Sequence, residues 1–202
     1  MKVIDTVKRF DSLIPLNWCN LVTDFIDSRN IKNLSTVAGE KKEIRNVKGL
    51  SFVPENYSLR NCSKKDLIKK IPVCMFSLQI RKLLEVPLLN YSVMFPEFDV
   101  SKILQIDFLK YQEGGKYEKH SDRGSESSTS RNRYISVIIN LNSNYEGGEF
   151  IFFNPTTRND EIVREEKLTN GSVLMFPSNF LFPHSVKPIT RGTRYSLVCW
   201  LA

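Results

Sequence analysis

At 202 residues and 41% apolar content, the chain is long enough to bury one full core and too short for two ordinary domains. Its apolar runs last a few residues, as at Val137 to Ile139, far short of the roughly 18 to 20 that a membrane span needs, so no membrane partner is expected. The formal charge of +7 is spread in basic runs of no more than two residues, such as Lys41-Lys42 and Lys69-Lys70, which reads as a solvated surface before it reads as a nucleic-acid interface.

Met1 to Phe10 mixes Lys2, Asp5, Lys8 and Arg9 among its apolar residues and so lacks the continuous apolar stretch of a secretory signal; an intracellular, cytoplasmic protein is expected. From Pro15 to Arg29, Trp18, Val22, Phe25 and Ile26 recur at helical spacing, with Pro15 suited to a first turn. A second helix is expected to start at Pro72, where Val73, Phe76, Ile80, Leu83 and Leu84 keep the period until Pro87 stops it.

The period then changes from 3.6 to 2. Ile103–Tyr111, Tyr134–Leu141, Glu149–Phe153, Ser172–Phe176 and Thr193–Leu201 are short, rich in β-branched and aromatic residues, and bounded by turn-forming residues. Closely spaced strands of this kind predict a sandwich, barrel or jelly roll. The stretch from Ser121 to Arg133 has no apolar residue to bury and is expected to be a mobile loop. Cys19, Cys62, Cys74 and Cys199 lie far apart, without the Cys-x-x-Cys pair of a zinc or redox site, and read as buried thiols.

The chain has only two histidines. His120 and Asp122 stand at i and i+2, which in an extended strand puts an imidazole and a carboxylate on one face. A third donor, His184, completes the two-histidine, one-carboxylate set that leaves positions of an octahedral iron open for co-substrate and oxygen. Ten residues beyond it, Arg194 offers a planar fork for a carboxylate, and Ser196 shares its strand face. A His-x-Asp triplet alone is a weak signal; its setting strengthens it. Trp200 has the parity of Arg194 and can wall the same pocket or simply pack. Gly147-Gly148 reads as a turn into the next strand.

Five ordered blocks carry a resemblance: Tyr111-Gln-Glu-Gly-Gly-Lys-Tyr117-Glu-Lys-His120-Ser-Asp122, Arg133 to Asn142, Tyr145-Glu-Gly-Gly-Glu149-Phe, Gly171 to Pro177, and His184 to Ser196. In that order they resemble the prolyl-4-hydroxylase-like iron(II) and 2-oxoglutarate-dependent dioxygenases. Ile14 to Cys19, Ser35 to Gly39 and Ile44-Arg45-Asn46 resemble the family's first half more weakly. The resemblance implies a mostly β protein with flanking helices, a double-stranded β-helix or jelly roll forming a single domain over residues 1–202. Residues 1–100 would be mainly helical support and 101–202 the core with the active site.

It assigns His120, Asp122 and His184 to Fe(II), and Arg194 with Tyr111 to 2-oxoglutarate; Ser196, on the Arg194 strand face, joins that grip, and Asn140, Tyr117 and Trp200 are candidates for the pocket wall. O2 is then the second co-substrate and ascorbate a candidate accessory reductant. The implied reaction hydroxylates a C–H bond of a protein or peptide, a prolyl residue first, with release of succinate and CO2. Two departures weaken the prolyl assignment: Arg194 stands where several prolyl hydroxylases have lysine, and Asn140 where many relatives have tyrosine. The alternatives are a nucleic-acid demethylase of the same superfamily and a non-catalytic jelly-roll binding protein. The first expects two arginines six apart beyond the last histidine, whereas Arg191 and Arg194 are three apart.

Overall fold

The computed structural model describes residues 2–34, 43–54, 64–100, 102–124 and 128–202, and the side chains of 64–69 and 128–129 lie outside that description. In chain order, β1 (Lys8–Phe10) leads to α1 (Leu16–Asp27) and to three short strands, β2 (Lys32–Asn33), β3 (Arg45–Asn46) and β4 (Lys48–Phe52). Two helices follow, α2 (Lys64–Leu83) and α3 (Glu85–Met94), then β5 (Ile103–Tyr111) and β6 (Lys116–His120). Past the short α4 (Ser128–Arg131) come β7 (Ile135–Asn140), β8 (Tyr145–Gly147), β9 (Phe150–Phe153) and β10 (Ile162–Glu166). The chain ends through β11 (Val173–Pro177), β12 (His184–Val186), β13 (Ile189–Gly192) and β14 (Arg194–Leu201).

The strands form a seven-stranded sheet in the order β1-β11-β7-β14-β5-β4-β2, facing a five-stranded sheet in the order β10-β9-β12-β6-β3. All neighbours are antiparallel, and the five strands expected from sequence are all present within a residue or two. Both faces of the large sheet are covered. Leu197, Cys199 and Leu201 of β14, with Val137 and Ile139 of β7, pack on Trp18, Val22 and Ile26 of α1 and Ile80 and Leu84 at the end of α2. The alternate residues, Ile138, Val198 and Trp200, point into the sandwich against Phe150, Phe152 and Val186. Period 2 with two buried faces therefore reads as nearly continuous apolar sequence. This is a jelly-roll core backed by helices.

Several expectations need correction. Pro72 does not open a helix: α2 starts at Lys64 and carries Pro72 inside it, and Pro87 sits in the first turn of α3. That position suits proline because the first-turn amide has no partner to lose. The stretch from Ser121 to Arg133 is not simply a loop, since α4 forms within it, Ser130 is buried, and Arg133 stacks on Trp200 with its guanidinium 3.7 Å from the ring centre. Ser35 to Gly39, Cys62 and the polar residues from Glu55 to 63 lie outside the described residues. Cys19 and Cys199 are buried free thiols and Cys74 is partly buried. Among the described residues no helix is long and apolar enough to cross a membrane.

Candidate active site

His120 closes β6 and His184 opens β12, and the strand register sets them opposite each other with ring centres 4.3 Å apart. Each Nδ1 lies 2.8 Å from a backbone carbonyl, that of Glu118 for His120 and of Phe182 for His184. A carbonyl accepts only, so Nδ1 carries the proton and Nε2 keeps its lone pair for a ligand. Both Nε2 atoms face Asp122, at 3.6 Å from Oδ1 for His120 and 3.7 Å from Oδ2 for His184. The three donor groups lie within 4.8 Å of one another, the one such cluster among the described residues.

Asp122 reaches this position by a different route from the one its spacing suggests. Strand β6 ends at His120, so Asp122 is not held by strand pairing. Ser136 of β7 donates to its Oδ2 at 2.5 Å, and Arg133 Nη1 donates to its backbone carbonyl at 3.0 Å. Burial works against the Asp122 charge, but the His184 ring, the His120 ring and the Ser136 hydrogen bond outweigh it and hold the carboxyl well below the usual carboxylate range. Burial, reinforced by His120, pushes His184 down to about 4, which favours the neutral imidazole a metal requires. Tyr117 stacks on His120 with centres 3.6 Å apart, and Phe150 stacks on His184 at 4.9 Å.

These donors sit in a cavity whose wall includes Tyr111, Tyr117 and Trp200, and also Arg45, Ile138 and Val198. A larger hollow, lined by Val3, Phe153, Pro155 and Leu181 among others, brings no histidine, cysteine or carboxylate to its surface. The smaller cavity carries the chemistry.

Arg194 opens β14 opposite Tyr111, with its guanidinium carbon 5.4 Å from that ring centre. It is 1% exposed, and its Nε donates to Asn140 Oδ1 at 3.0 Å. Among the described residues no carboxylate lies within ion-pair distance of it. Ser196, two residues on along the same face, holds a buried Oγ with no hydrogen-bond partner. A buried guanidinium without a counter-charge costs several kcal/mol unless a ligand supplies the anion. The donor set and this unmatched cation therefore fit iron(II) together with a dicarboxylate.

Asn140, expected on the cavity wall, does not line it, and neither do Arg194 and Ser196. Asn140 is fully buried and bonded to Arg194. Sequence reasoning passed over Ser136 and gave no role of their own to Arg45 and Arg133; for Ser136 the available signal was its strand parity with Ile138 and Asn140.

The model of the 2OG-Fe(II) oxygenase superfamily matches residues 106–202, from β5 to β14, and takes in all three donors and Arg194. Over that stretch, just under half of its length, the chain is similar to that superfamily. A PKHD-type hydroxylase of Idiomarina loihiensis is 27% identical over 110 residues, covering 54% of this chain and 45% of the relative. The chain thus spans about half the length of the curated relatives it matches. Among solved structures, a Pseudomonas putida prolyl-4-hydroxylase superposes with a TM-score of 0.68 at 16% identity, covering 98% of this chain and 96% of that one. A Trichoplax adhaerens prolyl hydroxylase, in complex with a peptide fragment of the hypoxia inducible factor oxygen degradation domain, gives 0.67 at 18% identity, covering 98% and 86%. At those identities the superpositions establish the fold, and they extend it over the N-terminal half that the superfamily model leaves unmatched.

Proposed function

We propose that residues 1–202 act as one iron(II)- and 2-oxoglutarate-dependent hydroxylase unit whose substrate is a protein or peptide, a prolyl residue first. His120, Asp122 and His184 would hold the metal, and Arg194, with Ser196 and Tyr111, the distal carboxylate of 2-oxoglutarate. The observation that carries this reading is the pairing of a three-donor cluster at one sheet with a buried, uncompensated arginine on a strand of the facing sheet. The bound group would supply O2 activation coupled to decarboxylation of 2-oxoglutarate to succinate. The protein's own contribution is positional. The carbonyls of Glu118 and Phe182 fix the two imidazoles, Ser136 fixes the carboxylate, and the aromatic wall of Phe150, Tyr117 and Trp200 excludes water.

The peptide assignment rests on the likeness to prolyl-hydroxylase folds, one of them solved with a peptide bound. The test is incubation with iron(II), ascorbate and 2-oxoglutarate in the presence of a peptide pool and a methylated oligonucleotide set, read by mass spectrometry and succinate release. Gain of one oxygen atom on proline-containing peptides is the expected result. Demethylated oligonucleotides with unmodified peptides would overturn the substrate class, and absence of succinate in every arm would overturn the enzyme.

A further inference from the structure

Asn140 occupies a place that the proposed reaction does not by itself explain. Its side chain is fully buried, and its Nδ2 lies 2.6 Å from the carbonyl of Asn142 and 3.3 Å from those of Leu168 and Thr169. Three acceptors on one side fix the amide's orientation, so Oδ1 must face the other way. There it accepts from Arg194 Nε at 3.0 Å and from the Tyr145 hydroxyl at 3.2 Å. The β14–β7 register sets Ser196 opposite Asn140, which brings the amide beside the arginine stem. On its far flank the stem passes Gly148, where a Cβ would meet Arg194 Cδ at 3.3 Å and Ile189 Cδ1 at 2.5 Å.

A guanidinium can grip a carboxylate along its Nε/Nη edge or along its Nη1/Nη2 edge. We propose that Asn140 is a positioning residue that occupies the Nε edge of Arg194, leaving only the Nη1/Nη2 edge for the ligand carboxylate, with Tyr145 holding Asn140 in turn. This rests on the reading that Arg194 receives 2-oxoglutarate. The amide suits the task because it accepts without bringing a charge. An aspartate in its place would become the arginine's own ion-pair partner and compete with the co-substrate.

The experiment measures 2-oxoglutarate binding calorimetrically to manganese-loaded protein without O2, alongside the ¹⁵N NMR signal of the Arg194 Nε–H in the protein without co-substrate. Asn140→Asp should weaken 2-oxoglutarate binding on the order of 100-fold with metal content unchanged, and the KM should rise far more than kcat falls. Tyr145→Phe, a milder change that leaves the three carbonyl contacts of Asn140 in place, should weaken binding about threefold and shift the Nε–H signal. Asn140→Leu should expose that Nε–H to faster exchange.

Wild-type affinity in Asn140→Asp, or an Nε–H in the unmodified protein that exchanges as fast as a free arginine's, overturns the proposal. Should the Asn140 variants fail to fold, Tyr145→Phe with unchanged binding and an unshifted Nε–H overturns it. The control is Arg194→Ala. If that variant keeps full 2-oxoglutarate affinity, the co-substrate assignment itself fails, whereas loss in Arg194→Ala with none in the Asn140 and Tyr145 variants removes only the clamp.

Discussion

The two charged ends of the candidate site pose opposite electrostatic problems. At the metal end a buried carboxylate faces the Nε2 lone pairs of two imidazoles within 3.7 Å and accepts from a serine hydroxyl at 2.5 Å. At the other end a buried guanidinium has, among the described residues, the neutral Asn140 amide and the Tyr111 ring beside it and no carboxylate. The metal end thus calls for a cation and the arginine end for an anion. Removing the arginine's charge should therefore raise stability or leave it unchanged in the absence of co-substrate, because a lone buried charge is a liability until it is paired.

The largest expected effect breaks the metal end. Asp122→Ala should lose bound iron to the level of a metal-free control and abolish turnover, as metal analysis and succinate release would read, with circular dichroism confirming the fold. Iron retained at the wild-type level would remove Asp122 from the donor set.

The next effect tests the contrast directly. Arg194→Ala should keep its iron but need on the order of 100-fold more 2-oxoglutarate. Arg194→Met, which keeps much of the stem's volume, should melt no lower than the unmodified protein in the absence of co-substrate. Added 2-oxoglutarate should raise the melting temperature of the wild type and not of this variant. A clearly destabilised Arg194→Met would show that the guanidinium is paired within the protein, and the difference between the two ends would collapse.

The smallest effect concerns orientation. Ser136→Ala removes the hydroxyl that fixes Asp122 Oδ2, and iron affinity should fall about tenfold while the 2-oxoglutarate requirement at saturating iron stays near the wild-type value. Equal losses at both ends would mean that the ends are coupled through β7, which carries both Ser136 and Asn140.

Much of the fold was legible because its signal was local. Strands β5, β7, β9, β11 and β14 alternate or run apolar over four to nine residues, and α1 shows its buried stripe as Trp18, Val22, Phe25 and Ile26. Strands β6 and β10 were missed because Lys116–His120 and Ile162–Glu166 read as charged sequence: one lies between β12 and β3, the other at a sheet edge, and neither buries a full face. The Ser121–Arg133 stretch was misread because its order comes from Arg133, stacked on Trp200 and bonded to the Asp122 carbonyl and Gln105. No apolar residue announces that kind of anchoring.

For the site, the sequence by itself determined the chemistry on offer: the only two histidines, a carboxylate two residues from one of them, and an arginine ten residues past the other. Those are properties of residue type and short spacing, which the chain carries before it folds. The tertiary structure alone decided what each group can do. The carbonyls that assign the histidine tautomers lie two residues away, but Asp122 is fixed by a serine 14 residues on, and Arg194 by an asparagine 54 residues back. Which edge of the arginine remains open depends on backbone carbonyls at Leu168 and Thr169 that reach Asn140 only when β7 and β11 pair. Hydrogen bonds of that separation form through sheet register, and register is set by burying both faces of the sheet, so no local pattern in the sequence could announce them.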